Sequence, residues 1–156
     1  MTQFKTGSPE SIDNWFELAK PNPTIRDASI QTGCHLEEFV EQLEALGFDK
    51  DNDFVSDLSN IADMYKASNE EFMSDLYHMS DKDKIADLDA ICDQIVTLRG
   101  RAKFMGYDLT GALAEVDGSN YSKFEDGVPV FNEQGKIRKG KGFYQPNLKP
   151  FIGGEK

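Results

Sequence analysis

The sequence predicts an all-α fold, a bundle of four to five helices followed by an extended tail rich in Gly and Lys. Apolar residues recur every three or four positions through most of residues 8–117, which is the period of a helix with one buried face. The only strand-like stretch is residues 128–131, and a sheet-based domain needs more strands than that. We therefore expect one domain over residues 1–156, with a helical body at about 8–117 and a tail at 118–156.

The first two helices are predicted from their ends. Ser8 is a suitable N-cap, Pro9 stands at the first helical position, and apolar residues follow at helical spacing as far as Ala19. Prolines then interrupt the pattern, and Thr24 can cap a second helix that runs toward residue 47. An apolar stripe of this second helix is expected to face the core. It consists of Leu36, Phe39, Val40, Leu43 and Leu46.

Three further patterns complete the helical body. The first covers about residues 54–77 and fits either one long helix or two shorter ones. The next begins around Ser80, where Ser80 and Asp83 resemble a capping pair, and ends near Gly106. The last predicts a short helix at about residues 109–116. Ordered loop or tail is expected from residue 118 onward.

Composition limits the classes of function. The 156 residues carry 17 Lys and Arg against 28 Asp and Glu, a net charge of −11, which argues against nucleic acid as a partner. Residues 118–156 differ, with seven basic and four acidic side chains. No apolar run exceeds three residues, so we expect no membrane span, no signal peptide and a cytoplasmic location. Cys34 and Cys92 match neither a disulfide framework nor a zinc-ligand pattern.

Acidic side chains form the first candidate site. The second helix carries Glu37, Glu38, Glu41 and Glu44 on one face, and no Lys or Arg between residues 26 and 50 offsets their repulsion within the helix. A solvated surface is the plain alternative. The fourth predicted helix carries Asp89 and Asp93 one turn apart at the edge of its apolar stripe. We therefore expect both carboxylates at the edge of the core. Carboxylates on facing helices can bind Mg²⁺ or Mn²⁺.

Several motifs in order resemble those of the all-α nucleoside triphosphate pyrophosphohydrolases. QTGCHLEEFVE at residues 31–41 contains a Glu-Glu-x-x-Glu signature, and it is followed by DAICD at 89–93, GYD at 106–108 and EVDGSNYSKF at 115–124. The chain is similar to the MazG-like branch over roughly residues 23–152. Its segment GKIRKGKGFYQP at 135–146 is similar to the tails of phosphoribosyl-ATP pyrophosphohydrolase-like members, which phages often encode.

This resemblance implies metal-dependent hydrolysis of a nucleoside triphosphate to its monophosphate and pyrophosphate. It implies Mg²⁺, with Mn²⁺ as a possible substitute, and a homo-oligomer, either a dimer or a tetramer. The implied catalytic residues are Glu37, Glu38 and Glu41, and the implied metal ligands are Glu38, Glu41, Asp93 and Asp89. The chain departs from the family at Ala90, where an acid often stands three residues before the second-motif aspartate. That departure makes Asp89 a weaker assignment than Asp93.

The basic tail supplies candidate phosphate-binding residues. Lys side chains can neutralise the β and γ oxygens of a triphosphate and the departing pyrophosphate. The predicted substrate-binding residues are Asn120, Lys123, Lys136, Lys139 and Tyr144. A solvated turn at residues 136–141 is the alternative. For the whole protein, the alternative function is a non-catalytic acidic protein that sequesters nucleotides or inhibits a host partner.

Overall fold

A computed structural model describes residues 4–131 and 137–153 of the chain. Its α-helices are α1 (Pro9–Ala19), α2 (Ile25–Ala45), α3 (Asp53–Lys66), α4 (Glu70–Tyr77), α5 (Asp81–Phe104) and α6 (Leu109–Tyr121), and a short 3-10 helix covers Lys149–Phe151. The described ranges contain isolated β-bridges and no strand, so the predicted all-α class is confirmed. None of the helices in these ranges combines the length and apolar character needed to cross a membrane.

The predicted helix ends are confirmed at four places. The Ser8 side chain caps α1, and Thr24 and Asp27 form a reciprocal capping box at the start of α2. At the start of α5 the Ser80 hydroxyl lies 2.6 Å from a carboxylate oxygen of Asp83. Gly106 has a φ of +77° just after that helix, a conformation that costs glycine little and other residues more.

Residues 4–131 and 137–153 contain six α-helices where four to five were expected, because the pattern over residues 54–77 is divided. Ser68 has a φ of +57° after the end of α3, and the Asn69 side chain caps α4 by accepting from the backbone N–H of Glu71 at 3.0 Å. The left-handed residue and the new cap stop one helix and start another. The apolar period continues across the break, so periodicity alone could not place it.

The last helix extends past its predicted end, which corrects the boundary of the tail. α6 continues to Tyr121, so Asn120 lies in its last turn and not after the helix. Gly118 and Ser119 are poor helix formers, but tertiary contacts hold them. The Ser119 hydroxyl donates to the Tyr144 carbonyl at 2.7 Å, and the Tyr144 hydroxyl lies 2.5 Å from the position that a Cβ on Gly118 would take.

The chain packs as two compact units. Unit 1 comprises the described residues up to Asn22 and from Leu88 onward, and unit 2 comprises Pro23–Asp87. The boundary at Leu88 lies inside α5. A single domain over residues 1–156 stays a prediction.

Unit 2 is built on the contact between α2 and α3. Its buried core contains Val40 and Leu43 of α2 and Val55 of α3, with Leu58 packed against them. The predicted apolar stripe is therefore only partly buried, since Phe39 and Leu46 at its edges are exposed. Burial in the centre and exposure at the margins is the expected pattern for a helix with one packed face.

Unit 1 joins α1 to α6 and lays the tail along α6. The Tyr144 N–H donates to the Ser122 hydroxyl at 3.1 Å, and the Asn147 N–H donates to Glu115 at 2.9 Å. Farther along, the Asp108 N–H donates to the Phe151 carbonyl at 2.8 Å. The partners move from the end of α6 toward its start as the tail proceeds. The tail thus runs antiparallel to α6 and is ordered by it.

Candidate functional site

Glu37 is held by an ion pair within unit 2. The Lys66 ammonium of α3 donates to a carboxylate oxygen of Glu37 at 2.7 Å and lies 2.9 Å from Asp63. The Lys66 side chain is only 14% exposed. The hydrogen bond to Glu37 raises the pKa of Lys66, against the opposing effect of desolvation and with a smaller contribution from Asp63. Glu37 therefore stabilises the contact between α2 and α3.

Small residues on α2 let Lys66 reach Glu37. Ser29 is fully buried and donates to the Tyr65 carbonyl at 2.9 Å. A Cβ on Gly33 would stand 2.5 Å from the Ala62 carbonyl oxygen, so only glycine permits this approach of the two backbones. Ser29, Gly33 and Glu37 are spaced four apart and share one face. The same face that packs against α3 thus presents Glu37 to Lys66.

The other acids of α2 lie toward solvent or pair elsewhere. Glu44 forms an ion pair with Lys50 at 3.4 Å. Glu38 and Glu41 are exposed and three residues apart, a spacing that places their Cβ atoms about 5–6 Å from each other. The repulsion predicted within this helix is therefore relieved by cations outside it, Lys50 and Lys66. Sequence spacing could not identify those partners.

Asp89 and Asp93 do not lie at a core boundary, contrary to the expectation. Both are exposed on the part of α5 that belongs to unit 1, and the apolar residues around them are exposed too. The helix itself is confirmed, but neither α1 nor α6 packs against it. Both carboxylates therefore stand on an exposed stretch of α5.

These carboxylates provide pairs of potential metal ligands. Among residues 4–131 and 137–153, no group of three or more His, Cys, Asp or Glu side chains is arranged to hold a metal ion. Mg²⁺ in nucleotide-binding sites is commonly held by one or two protein carboxylates together with substrate phosphates and water. The hard oxygens of Glu38 and Glu41 fit that requirement. Asp89 and Asp93 offer a second pair with the same chemistry.

Unit 1 brings Asn120 and Lys123 together beside an aromatic cluster. The Lys123 ammonium donates to the Asn120 side-chain oxygen at 2.7 Å and lies 6.0 Å from the centre of the Trp15 ring. The Trp15 and Phe124 rings stack with a centroid distance of 5.6 Å, and Tyr121 meets Phe124 edge to face at 5.9 Å. An ammonium, an amide and aromatic rings therefore share one end of α6.

A small cavity opens between α1 and α6 beside these residues. Its volume is about 100 Å³. It is lined by Ile12, Trp15, Phe16, Leu113, Val116, Asp117 and Asn120. The indole N–H of Trp15 is buried and has no hydrogen-bond partner in the described structure. The cavity is therefore lined mainly by apolar side chains, with Asn120 and Asp117 as its polar lining residues.

Asp117 fixes the geometry of this cavity. It is only 4% exposed, and one of its oxygens accepts from the Gly7 N–H at 2.8 Å and the Ser11 hydroxyl at 2.7 Å. A Cβ on Gly7 would stand 2.5 Å from the backbone nitrogen of Ala114, so the segment before α1 lies directly on α6. These contacts orient α1, and with it Trp15.

The predicted substrate-binding residues of the tail differ in how closely they lie to α6. Tyr144 packs on α6 at Gly118 and Ser119, the two residues that directly precede Asn120. The Lys139 ammonium lies 4.7 Å from the centre of the Phe143 ring. Lys136 lies outside the described residues. Glu125 accepts from Arg138 and from the Lys141 N–H, both at 3.3 Å, so the described part of the basic cluster is tied to the turn after α6.

Sequence reasoning did not include three residues that shape these sites among the candidates, and for Trp15 it weighed stacking on a base but favoured a core position. Trp15 has the helical spacing of an ordinary core residue, Asp117 is a single acid in a short helix, and Lys66 lies 29 positions from Glu37. No local pattern separates them from structural residues. The partners of Asp117 are Gly7 and Ser11, which are more than 100 positions away in the sequence. Only the packing of α1 on α6 brings them to Asp117.

No family model matches the chain, and neither a curated protein nor a solved structure is found to be similar to it.

Proposed function

We propose that the protein is a metal-dependent nucleoside triphosphate pyrophosphohydrolase that converts (d)NTP to (d)NMP and pyrophosphate. The observation that carries this proposal is the cluster of Trp15, Asn120 and Lys123 in unit 1. Two of its members were predicted from the motif at residues 115–124, and the third comes from a different helix. Together they supply groups that a nucleotide can use.

Each group of this cluster suits a different part of a nucleotide. The Lys123 ammonium is a compact cation with three donors and can neutralise phosphate oxygens. It follows the C-terminus of α6, where the helix dipole favours a positive charge. The Asn120 amide carries two N–H donors as well as its oxygen, and aromatic side chains offer stacking surface to a planar base. The cluster therefore supports triphosphate binding.

The acidic face of α2 supports the hydrolytic part of the proposal. Bound Mg²⁺ would polarise the α phosphate and lower the pKa of a coordinated water. Glu38 and Glu41 are exposed carboxylates in the order that the resemblance requires. Glu37 holds Lys66, so we assign it to the positioning of α2 and not to a ligand. In the reaction water adds to the α phosphorus, the bond from that phosphorus to the bridging oxygen breaks, and pyrophosphate leaves.

A second candidate is binding without hydrolysis. It is favoured by the lack of a three-carboxylate group among the described residues and by Ala90 in the second acidic motif. In this case the protein would sequester nucleotides or inhibit a host partner. Such a protein would bind a triphosphate with the unit 1 cluster and return it unchanged.

The wider setting is also part of the proposal. We expect Mg²⁺ as the cofactor, with Mn²⁺ able to replace it, and a homo-oligomer as the working form. We expect the protein to act in the cytoplasm, which is the host cytoplasm if a phage encodes it. Neither nucleic acid nor a membrane is expected as a partner, given the net charge of −11.

The test is an assay of canonical and modified NTPs and dNTPs with Mg²⁺ or Mn²⁺, with monophosphate and pyrophosphate both quantified. Hydrolysis of at least one substrate in the parent protein, lost in Glu41→Gln and retained in Glu17→Gln, is expected. Glu17 is an exposed glutamate of α1 and serves as the matched control. Tight binding with no turnover across the panel supports the second candidate, and neither binding nor turnover refutes both.

A further inference from the structure

The tail returns to the end of α6 at Gly140, where it lies directly on the backbone of Lys123. A Cβ on Gly140 would stand 2.6 Å from the Lys123 carbonyl oxygen and 3.0 Å from Cγ of Glu125. The Lys123 oxygen belongs to the backbone, so no side-chain rotation would make room for that Cβ. Glycine therefore permits an approach of the tail to Lys123 that a larger residue would prevent.

Glu125 holds the tail in the same place. Its carboxylate accepts from the Lys141 N–H and from the Arg138 guanidinium, both at 3.3 Å. These two donors stand on either side of Gly140 along the chain. The Glu125 side chain is only 26% exposed, so water competes less for its oxygens than at a fully exposed carboxylate. The tail is therefore fixed before and after the glycine.

Lys123 lies between the end of α6 and a tight turn. Its N–H donates to the Asn120 carbonyl at 3.1 Å, and two residues later Glu125 and Val128 exchange backbone hydrogen bonds at 2.9 and 3.0 Å. The two residues between that pair have positive φ, as the commonest two-residue hairpin turn requires. The Lys123 carbonyl lies between these two fixed points, and the tail contacts it there.

We infer that Gly140 and Glu125 are positioning residues for Lys123, an inference that rests on the phosphate-binding role given to Lys123 in the proposed function. The Lys123 ammonium already donates to the Asn120 side-chain oxygen at 2.7 Å, and the docked tail holds the backbone of the same residue. A lysine that its surroundings hold loses less conformational freedom when it binds a phosphate. Immobilising one long side chain corresponds to about a two- to tenfold change in affinity.

The cations of the tail give a rival explanation for any effect of Gly140. Lys139 and Lys141 directly flank this glycine, and the Lys139 ammonium lies 4.7 Å from the centre of the Phe143 ring. If these lysines bound the phosphates themselves, undocking the tail would weaken binding whether or not Lys123 is present. The two explanations therefore differ in whether the effect of Gly140 depends on Lys123.

The first measurement tests docking in the absence of any ligand. Hydrogen exchange of the full chain, followed by NMR, reports on the Lys141 N–H that Glu125 accepts. Gly140→Ala should speed this exchange several-fold. Gly142→Ala is the matched control, because a Cβ there would stand 3.9 Å from the Ser122 carbonyl oxygen, which is an ordinary contact, and exchange should not change.

Glu125 provides a second test of docking that leaves Gly140 in place. Glu125→Gln keeps an oxygen that can accept from the Lys141 N–H, so it should retain protection that Glu125→Ala loses. Circular dichroism should show equal helix content in all of these variants, because the altered positions lie after the end of α6 at Tyr121.

The second measurement is calorimetry with inorganic triphosphate, which carries the phosphates without a base. Gly140→Ala and Glu125→Ala should each weaken its binding about two- to tenfold, whereas Gly142→Ala should not. A double-mutant cycle then separates the two explanations. In a Lys123→Met background, Gly140→Ala should have no further effect on binding.

Faster exchange together with weaker binding that depends on Lys123 would support the inference. It would be overturned if Gly140→Ala kept the protection of Lys141, bound triphosphate like the parent, or weakened binding equally in the Lys123→Met background. A parent protein that does not bind inorganic triphosphate would overturn it too. Failure of the proposed hydrolysis is distinguishable, because it appears with nucleotides as intact substrate while the binding of inorganic triphosphate and its dependence on Gly140 remain.

Discussion

Replacement of Gly33 by alanine should push α2 and α3 apart and lengthen the ion pair between Lys66 and Glu37. A Cβ at this position would stand 2.5 Å from the Ala62 carbonyl oxygen and 2.8 Å from the Lys66 backbone nitrogen. Ordinary contacts between heavy atoms are closer to 4 Å, so α3 has to move by roughly an ångström. Both obstructing atoms belong to the backbone, and no side-chain rotation relieves the contact.

The change in the free energy of unfolding follows from two opposing effects. Overpacking of a tight contact costs about 1–3 kcal/mol, while alanine in place of glycine inside a helix gains about 1 kcal/mol. Gly100 of α5 supplies the matched control, because a Cβ there meets no atom within 4 Å and Gly100→Ala therefore reports the helix gain alone. The difference in free energy of unfolding between the two variants should be about 1–3 kcal/mol, with Gly33→Ala the less stable.

Urea unfolding followed by circular dichroism measures this difference. In Gly33→Ala the Lys66–Glu37 ion pair should also lengthen from 2.7 Å, which a crystal structure of the variant would show. Equal stability of Gly33→Ala and Gly100→Ala would refute the close approach of α2 and α3 on which the placement of Glu37 depends.

Three further predictions concern binding and charge. Mg²⁺ should raise the melting temperature of the parent protein by binding the folded state, and Glu41→Gln should reduce that rise while Glu17→Gln does not. Lys123→Met should weaken triphosphate binding about tenfold and monophosphate binding much less, as measured by calorimetry, with Lys82→Met as the exposed-lysine control. Because the bond to Glu37 raises the pKa of Lys66, its stabilisation is complete below about pH 10.4 and is lost as the pH rises through the higher folded-state pKa. Glu37→Gln should diminish this alkaline loss of stability in pH-dependent unfolding.

The helical periodicity and the end signals predicted the fold class and several helix ends, because caps such as Ser8, Thr24 and Ser80 act locally. The break at Ser68 and the extension of α6 to Tyr121 were not predictable in the same way. Both depend on contacts that are absent from the local sequence: the Asn69 cap competes with a continuous apolar pattern, and Tyr144 compensates for Gly118 and Ser119 from 25 residues away.

In the candidate site, too, some residues could be predicted from the local sequence and others are placed only by tertiary contacts. Asn120 and Lys123 were predicted from a motif, and their mutual hydrogen bond requires only that they lie three positions apart. Trp15 joins them from a different helix, since Asp117 anchors the start of α1 through Gly7 and Ser11. Helical spacing also predicted a core boundary at Asp89 and Asp93, but spacing gives the face of a helix and not what covers it.

The central claim is that this chain hydrolyses a nucleoside triphosphate between its α and β phosphates. Phosphorus NMR of a triphosphate incubated with the protein and Mg²⁺ tests it most directly, because each product has its own resonance. We predict equal amounts of monophosphate and pyrophosphate with the parent protein, and an unchanged triphosphate with Glu41→Gln. Diphosphate with orthophosphate, or a triphosphate that stays intact with the parent protein for every substrate of the panel, would contradict the claim.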